Sequence, residues 1–232
     1  MARRKPSKRS DRQVARVRNA IIGFVAVVVV LVIGYGILYS TGLTEGEYRA
    51  GTHYEVIEQA RGRRPGEPIR VREFFSYGCI HCRNFDPLIE EWKRNLPEGV
   101  EFERAPVAFS PVWALLARTY LTLDELDALE ANHDRLFRVI HDQGRQFLSP
   151  EMVADFVHGY GVSREDFLRT FESPTVRARL RSAEEDQRML GITGVPMLVV
   201  DDKYRVGMEV GRRTSLDVVD HLVARELSSE GS

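Results

Sequence analysis

Hydrophobic and polar positions divide the chain into two unlike parts. From Ala20 to Leu38, 19 consecutive residues are almost purely apolar and rich in Val and Ile, and no charge occurs between Arg18 and Glu45. A helix of that length spans about 30 Å, the thickness of a bilayer core. The pattern predicts a transmembrane anchor over 20–39. The run exceeds the apolar stretch of a cleaved signal peptide, and Tyr39-Ser40-Thr41-Gly42 offers no small-x-small cleavage site. A buried core helix would carry a polar stripe, and this one has none.

After a glycine-bearing tether, 40–52, the periods shorten. Strands are predicted at His53–Ile57, Ile69–Phe75 and Val100–Val107, the last with Pro106 limiting its pairing to one side. The segment 112–190 is helical in pattern. Ser149-Pro150, Ser163 and Ser173-Pro174 read as helix starts, with serine as the cap. Val176, Leu180, Ala183, Gln187 and Leu190 form one helical face, and Gly191 stops it. A strand hairpin follows: Met197–Val200, a turn at Asp201-Asp202, and Tyr204–Val206. A helix over Ser215–Glu226 closes the chain. Strands and helices alternate in one α/β domain, 53–232, with a helical insertion at about 112–190.

Charge sharpens this division. The totals nearly cancel, at 33 Lys+Arg against 34 Asp+Glu. Yet residues 1–19 hold eight basic residues and only Asp11 as an acid, so the remainder carries 25 basic and 33 acidic residues. A short basic flank stays in the cytoplasm. Residues 1–19 are therefore read as a cytoplasmic tail, which accounts for the basic arm without nucleic acid, and the acidic body as facing the periplasm. With 43% apolar and 29% charged residues the body is globular.

Both cysteines lie in Cys79-Ile80-His81-Cys82. The unit follows the strand Ile69–Phe75, and Phe85, Leu88, Ile89 and Trp92 beyond it repeat with helical spacing. It therefore stands at a strand-to-helix junction, where free N–H groups and the helix dipole favour a Cys79 thiolate, the reactive form. A four-residue disulfide loop would constrain the unfolded chain little. A zinc site needs a fourth ligand beyond Cys79, His81 and Cys82. Redox exchange is the favoured reading, with no metal and no cofactor. Gly194-Val195-Pro196 stands just before the strand Met197–Val200. Alternation along Ile69–Phe75 places Glu73 on the face of Ile69, Val71 and Phe75, with Arg70 and Arg72 opposite. A carboxylate on that apolar face would have a raised pKa and could exchange a proton with Cys82. Arg104, on the neighbouring strand, is its candidate partner.

Phe74-Phe75-Ser76-Tyr77-Gly78-Cys79-Ile80-His81-Cys82 resembles the active-site segment of DsbA-type thiol–disulfide oxidoreductases, and Gly191-Ile192-Thr193-Gly194-Val195-Pro196 resembles their cis-proline loop. The resemblance covers about residues 53–229. It implies a thioredoxin fold with a helical insertion, a cis Pro196 beside the cysteines, and a Val195 backbone offered to substrate. It also supports a buried acid at Glu73. His81 stands where oxidising members carry histidine, whereas Ile80 replaces the proline commonest after the first cysteine. The implied reaction is donation of the Cys79–Cys82 disulfide to reduced exported proteins, with reoxidation by a DsbB-like membrane partner; nothing in the sequence points to an obligate dimer, and a monomer is expected. A reductase or isomerase, and a non-catalytic holdase on the same scaffold, are the alternatives. His53, His133, His141, His158 and His221 receive no role from the sequence.

Overall fold

The computed structural model describes residues 8–40, 48–58, 63, 64 and 66–230, and divides the chain into two units, 1–47 and 48–232. The described residues of the first unit up to Ser40 form helix α1 (Lys8–Ser40). Its described apolar side chains, between 20 and 33, are exposed, among them Ile21, Phe24 and Leu31. Over the described residues no helix is long and apolar enough to cross a membrane. The expected anchor is thus a helix here without being a described membrane span; its side chains at 35–39 lie outside the described residues. So do 1–7 of the basic tail and 41–47 of the tether.

The second unit runs β1 (Glu55–Val56), β2 (Ile69–Phe75), α2 (Ile80–Trp92), a 3-10 turn, and β3 (Val100–Pro106). Then come α3 (Pro111–Glu125), α4 (Leu129–His141), α5 (Pro150–Val157), α6 (Arg164–Phe171) and α7 (Pro174–Met189), followed by β4 (Met197–Val200), β5 (Tyr204–Val206) and α8 (Arg212–Glu230). The five strands form one sheet in the order β1-β5-β4-β2-β3. Among the described strands, β2 and β3 alone run parallel, with Glu73 opposite Arg104. β3 is an edge strand, so Pro106 at its end leaves no ladder bond unmade.

The serine caps fold as the sequence implies. Ser149, Ser163 and Ser173 each accept a backbone N–H from the third residue onward, as does Ser110 ahead of Pro111. The first strand is shorter than His53–Ile57, because only Glu55 and Val56 pair with β5. α8 extends beyond Ser215–Glu226 at both ends, and α2 begins at Ile80. The Asp201-Asp202 turn places both residues in the left-handed region, which aspartate tolerates.

Helices cover both faces of the sheet. Ile69 and Val71 pack with Phe85, Ile89, Val219 and Leu222 on one face; Phe74 packs with Val107, Leu190 and Val199 on the other. β2 is therefore buried along nearly all its length. A third cluster joins the end of β2 to the helical insertion. Phe75, Tyr77, Cys79 and Cys82 pack there with Leu116, Phe137 and Phe171. Burying each large side chain of this kind contributes roughly 1.5–3 kcal/mol. The cysteine pair thus sits in the seam between sheet and insertion.

Candidate redox site

β2 ends at Phe75, and four residues carry the chain over to α2. Ser76 organises this crossing: its carbonyl accepts the Cys79 N–H at 3.0 Å and its hydroxyl accepts the Gly78 N–H at 3.1 Å. Gly78 is required by close approach, since a Cβ there would meet the Trp113 indole nitrogen at 2.7 Å. Cys79 is the N-cap of α2, and its side chain makes no cap hydrogen bond. The first N–H groups of the helix are left for its sulfur.

The two sulfurs, both free thiols here, have opposite surroundings. The Cys79 thiol is lowered from 9.0 to about 6. The main cause is the hydrogen bond from the Cys82 thiol; burial opposes it, and the N–H groups of Cys82 and His81 and the His81 charge assist. Burial pushes the Cys82 thiol far up, reinforced by its role as donor to Cys79 and by the Glu73 charge. Cys79 keeps 8% of its surface and Cys82 none.

The proline loop completes the site. The Val195-Pro196 bond is cis, and the Cys79 Sγ lies 3.5 Å from the Val195 carbonyl oxygen. An open groove of about 770 Å³ runs past His81, Asn84, Val195 and Pro196 toward Met208 and Arg212. Ile80 is exposed beside it. His81 is exposed too, and acts on Cys79 through charge rather than contact.

Behind the sulfurs lies a buried ionic cluster. Glu73 is 1% exposed, and burial raises its carboxyl from 4.5 to about 7 despite the opposing Arg104 charge. Arg104 donates to Glu73 at 2.9 Å, to Asp86 at 2.7 Å and to Glu90 at 3.0 Å. Burial favours neutral Asp86, but the hydrogen bond from His133 and the Arg104 charge hold it below its ordinary value. One cation therefore keeps Asp86 charged while Glu73 carries a proton near neutrality. Arg104, Asp86 and His133 line a second cleft of about 780 Å³, which does not include Glu73. No group of side chains suited to hold a metal occurs among the described residues.

Structure thus brings Cys79, Cys82, Glu73, Val195 and Pro196 together, with Arg104 beside Glu73, and leaves His81 at the rim. Sequence reasoning missed Tyr77, Asp86, Trp113, His133 and His141. Asp86 had a signal, because it lies seven residues after Cys79 and so two turns along the same helix. The histidines had none, since they lie within the insertion, 56 and 64 residues beyond Tyr77.

Residues 98–222 match the DSBA-like thioredoxin domain family. The chain belongs to that family. The thiol:disulfide interchange protein DsbA of Pseudomonas aeruginosa is 34% identical over 192 residues, 82% of this chain and 90% of that protein. Its namesake in Azotobacter vinelandii is 34% identical over 81% of this chain and 89% of that one. A match of this extent necessarily spans residues 79–82. Among solved structures, P. aeruginosa DsbA superposes with a TM-score of 0.76 at 32% identity, covering 80% of this chain and 98% of that one. DsbA from Xylella fastidiosa gives 0.74 at 32% identity, covering 78% and 98%. The DsbA-like fold with its helical insertion accounts for the seam in which the cysteines lie.

Proposed function

We propose that this DsbA-like protein is a disulfide oxidase acting on exported proteins. The observation that carries the reading is the contrast between a Cys79 sulfur that favours the thiolate and a Cys82 sulfur that does not. In the oxidised enzyme the two are joined. A substrate thiolate attacks Cys79 Sγ, the Cys79–Cys82 bond breaks, and Cys82 leaves with the electron pair. Glu73, protonated near neutral pH, supplies the proton that a buried Cys82 thiolate needs. A second substrate thiolate then attacks the substrate sulfur of the mixed disulfide, and Cys79 leaves as its favoured thiolate. The substrate has lost two electrons and the enzyme has gained them. Val195 and cis Pro196 offer backbone to the substrate strand, and the exposed His81 supports the Cys79 charge.

Reoxidation requires a partner of the DsbB type, which accepts the two electrons in the membrane. We assign residues 20–39 as a single-pass inner-membrane anchor, 1–19 as its cytoplasmic tail, 40–52 as the tether and 53–232 as a periplasmic catalytic domain that works as a monomer. Support for the anchor is the uncharged apolar run, the basic flank before it, and the exposed apolar side chains of α1. Resistance of the protein to alkaline carbonate extraction tests the anchor; release would sink it. Equilibrium of the full chain with glutathione tests the direction of exchange. About 30 mV corresponds to a tenfold change in the equilibrium constant of a two-electron couple. An oxidising position relative to glutathione supports the oxidase, and a strongly reducing one makes the protein a reductase.

A further inference from the structure

Tyr77 stands two residues before Cys79, on the crossing between β2 and α2. It is 1% exposed and is gripped by one face of an insertion helix. His133, Phe137 and His141 of α4 are spaced four residues apart and so line up along one side of that helix. All three reach Tyr77. His133 Nδ1 lies 2.8 Å from the Tyr77 hydroxyl. The Phe137 ring meets the Tyr77 ring edge-on at 5.0 Å. His141 Nε2 lies 2.8 Å from the Tyr77 carbonyl oxygen. A carbonyl only accepts, so His141 must carry its proton on Nε2. The other side of His133 faces Asp86, with Nε2 3.0 Å from Asp86 Oδ1. That carboxylate also binds Arg104. Burial lowers the His133 pKa, which favours a neutral ring that accepts from Tyr77 through Nδ1 and donates to Asp86 through Nε2.

We infer that His133 and His141 are positioning residues for Cys79, through which the helical insertion sets where the reactive sulfur stands. The inference rests on reading Cys79 as the reacting sulfur. The physical reason is the short lever between grip and sulfur. The Tyr77 peptide is fixed by His141, its side chain by His133, and only Gly78 separates it from Cys79. Gly78 itself contributes an N–H bond to the Ser76 hydroxyl and no side chain. The N–H contacts that favour the Cys79 thiolate depend on the sulfur lying over the first turn of α2, and small displacements there weaken them. His133 adds a second tie, since Asp86 lies on α2 itself. The crossing and the helix it enters are thus both fixed to α4.

The test is thiolate absorbance near 240 nm in the reduced full chain, with alkylation rates at neutral pH, in wild type, His141→Leu, His141→Gln, Tyr77→Phe and Cys79→Ser. His141→Leu should raise the titration midpoint of Cys79, its acid dissociation constant falling about three- to tenfold, the weight of one hydrogen bond, while alkylation at neutral pH changes by less than about twofold because much of the sulfur stays thiolate. His141→Gln, whose amide N–H can donate to the same carbonyl, should recover most of the loss. Tyr77→Phe, which removes only the hydroxyl bound by His133, should shift the midpoint in the same direction by less. A lower melting temperature with an unmoved midpoint would make the histidines structural only and overturn the inference, as would failure of glutamine to rescue. Should His141→Leu not fold, Tyr77→Phe decides: a shifted midpoint supports the inference and an unmoved one overturns it. Persistence of the wild-type signal in Cys79→Ser would instead overturn the assignment of Cys79 as the reacting sulfur.

Discussion

Cys79 and Cys82 stand one turn apart on α2, follow the same strand and face the same seam, yet their surroundings pull them in opposite directions. Cys79 caps the helix, has its thiolate favoured by the Cys82 thiol and the first N–H groups, and keeps a small opening to solvent. Cys82 lies one turn inside, fully covered, with Glu73 behind it. A displacement of about 5 Å along a helix axis is enough to turn one thiol into the group that meets substrate and the other into the group that must be reprotonated. The difference teaches that the order of the two cysteines fixes their roles, because only the first can stand at the helix terminus.

Exchanging serine for each sulfur probes that asymmetry most severely. Cys79→Ser should bring oxidation of a reduced test protein down to the uncatalysed rate. Cys82→Ser should also stop turnover, but should accumulate mixed disulfides with exported proteins through Cys79, visible as bands that collapse on reduction. Equal trapping by both variants would mean that either sulfur can meet substrate, and the asymmetry would be lost.

The next largest effect concerns the cluster behind Cys82, and a second arginine provides the control. Arg72 and Arg104 are both nearly buried, and each meets three carboxylates. Around Arg72 these are Asp186, Asp202 and Glu103, all with substantial solvent access. Around Arg104 they include Glu73 and Asp86, both enclosed. Removing a partner from an enclosed charge group leaves uncompensated charge, whereas solvated carboxylates are rescued by water. Arg104→Met should therefore cost about 3 kcal/mol in urea unfolding, and Arg72→Met about 1 kcal/mol. Similar losses at both positions would show that enclosure of the carboxylates does not matter.

The same two arginines show what sequence periodicity conveys and what it omits. Alternation along β2 placed Glu73 and Arg72 on opposite faces, and they are. It also suggested that the Arg70 and Arg72 face was the polar one, but Arg72 is buried because α7 and the β4–β5 turn supply acids to that face. Neither supplier is near β2 in sequence. The strand Ile69–Phe75, the serine caps, the β4–β5 hairpin and the cysteine junction were legible because each is decided by neighbours within a few residues. The short β1 was not, since its length depends on β5, and the grip on Tyr77 was not, since it depends on a helix more than fifty residues away.

A smaller effect separates Glu73 from Cys79 by pH. The Glu73 carboxyl is raised from 4.5 to about 7. Its contribution to stability is therefore fully present below 4.5 and is lost as the pH rises through 7. The Cys79 thiol is lowered from 9.0 to about 6. Its contribution, confined to the reduced form, is fully present above 9.0 and is lost as the pH falls through 6. Glu73→Gln should flatten the first dependence, measured as melting temperature of the oxidised form between about pH 5 and 8. The gap in stability between reduced and oxidised wild type should instead widen with rising pH over that range. If the Glu73→Gln profile keeps the wild-type slope, Glu73 does not titrate there and cannot serve as the proton source for Cys82.

His81→Ala should have the least effect, and its size tests how the thiolate is held. His81 contributes the weakest of the influences that lower Cys79, behind the Cys82 hydrogen bond and the two backbone N–H groups. Its ring is exposed, so water and salt screen its charge. Replacing it should raise the Cys79 midpoint by less than about one unit, under 1.4 kcal/mol, and the shift should shrink further at high ionic strength. Cys82→Ser, which exchanges a thiol donor for a hydroxyl on the same turn, should leave the midpoint nearer to wild type than Cys82→Ala, which removes the donor. A shift from His81→Ala that exceeds the Cys82→Ala shift would make charge, rather than the geometry of the helix terminus, the principal support of the Cys79 thiolate.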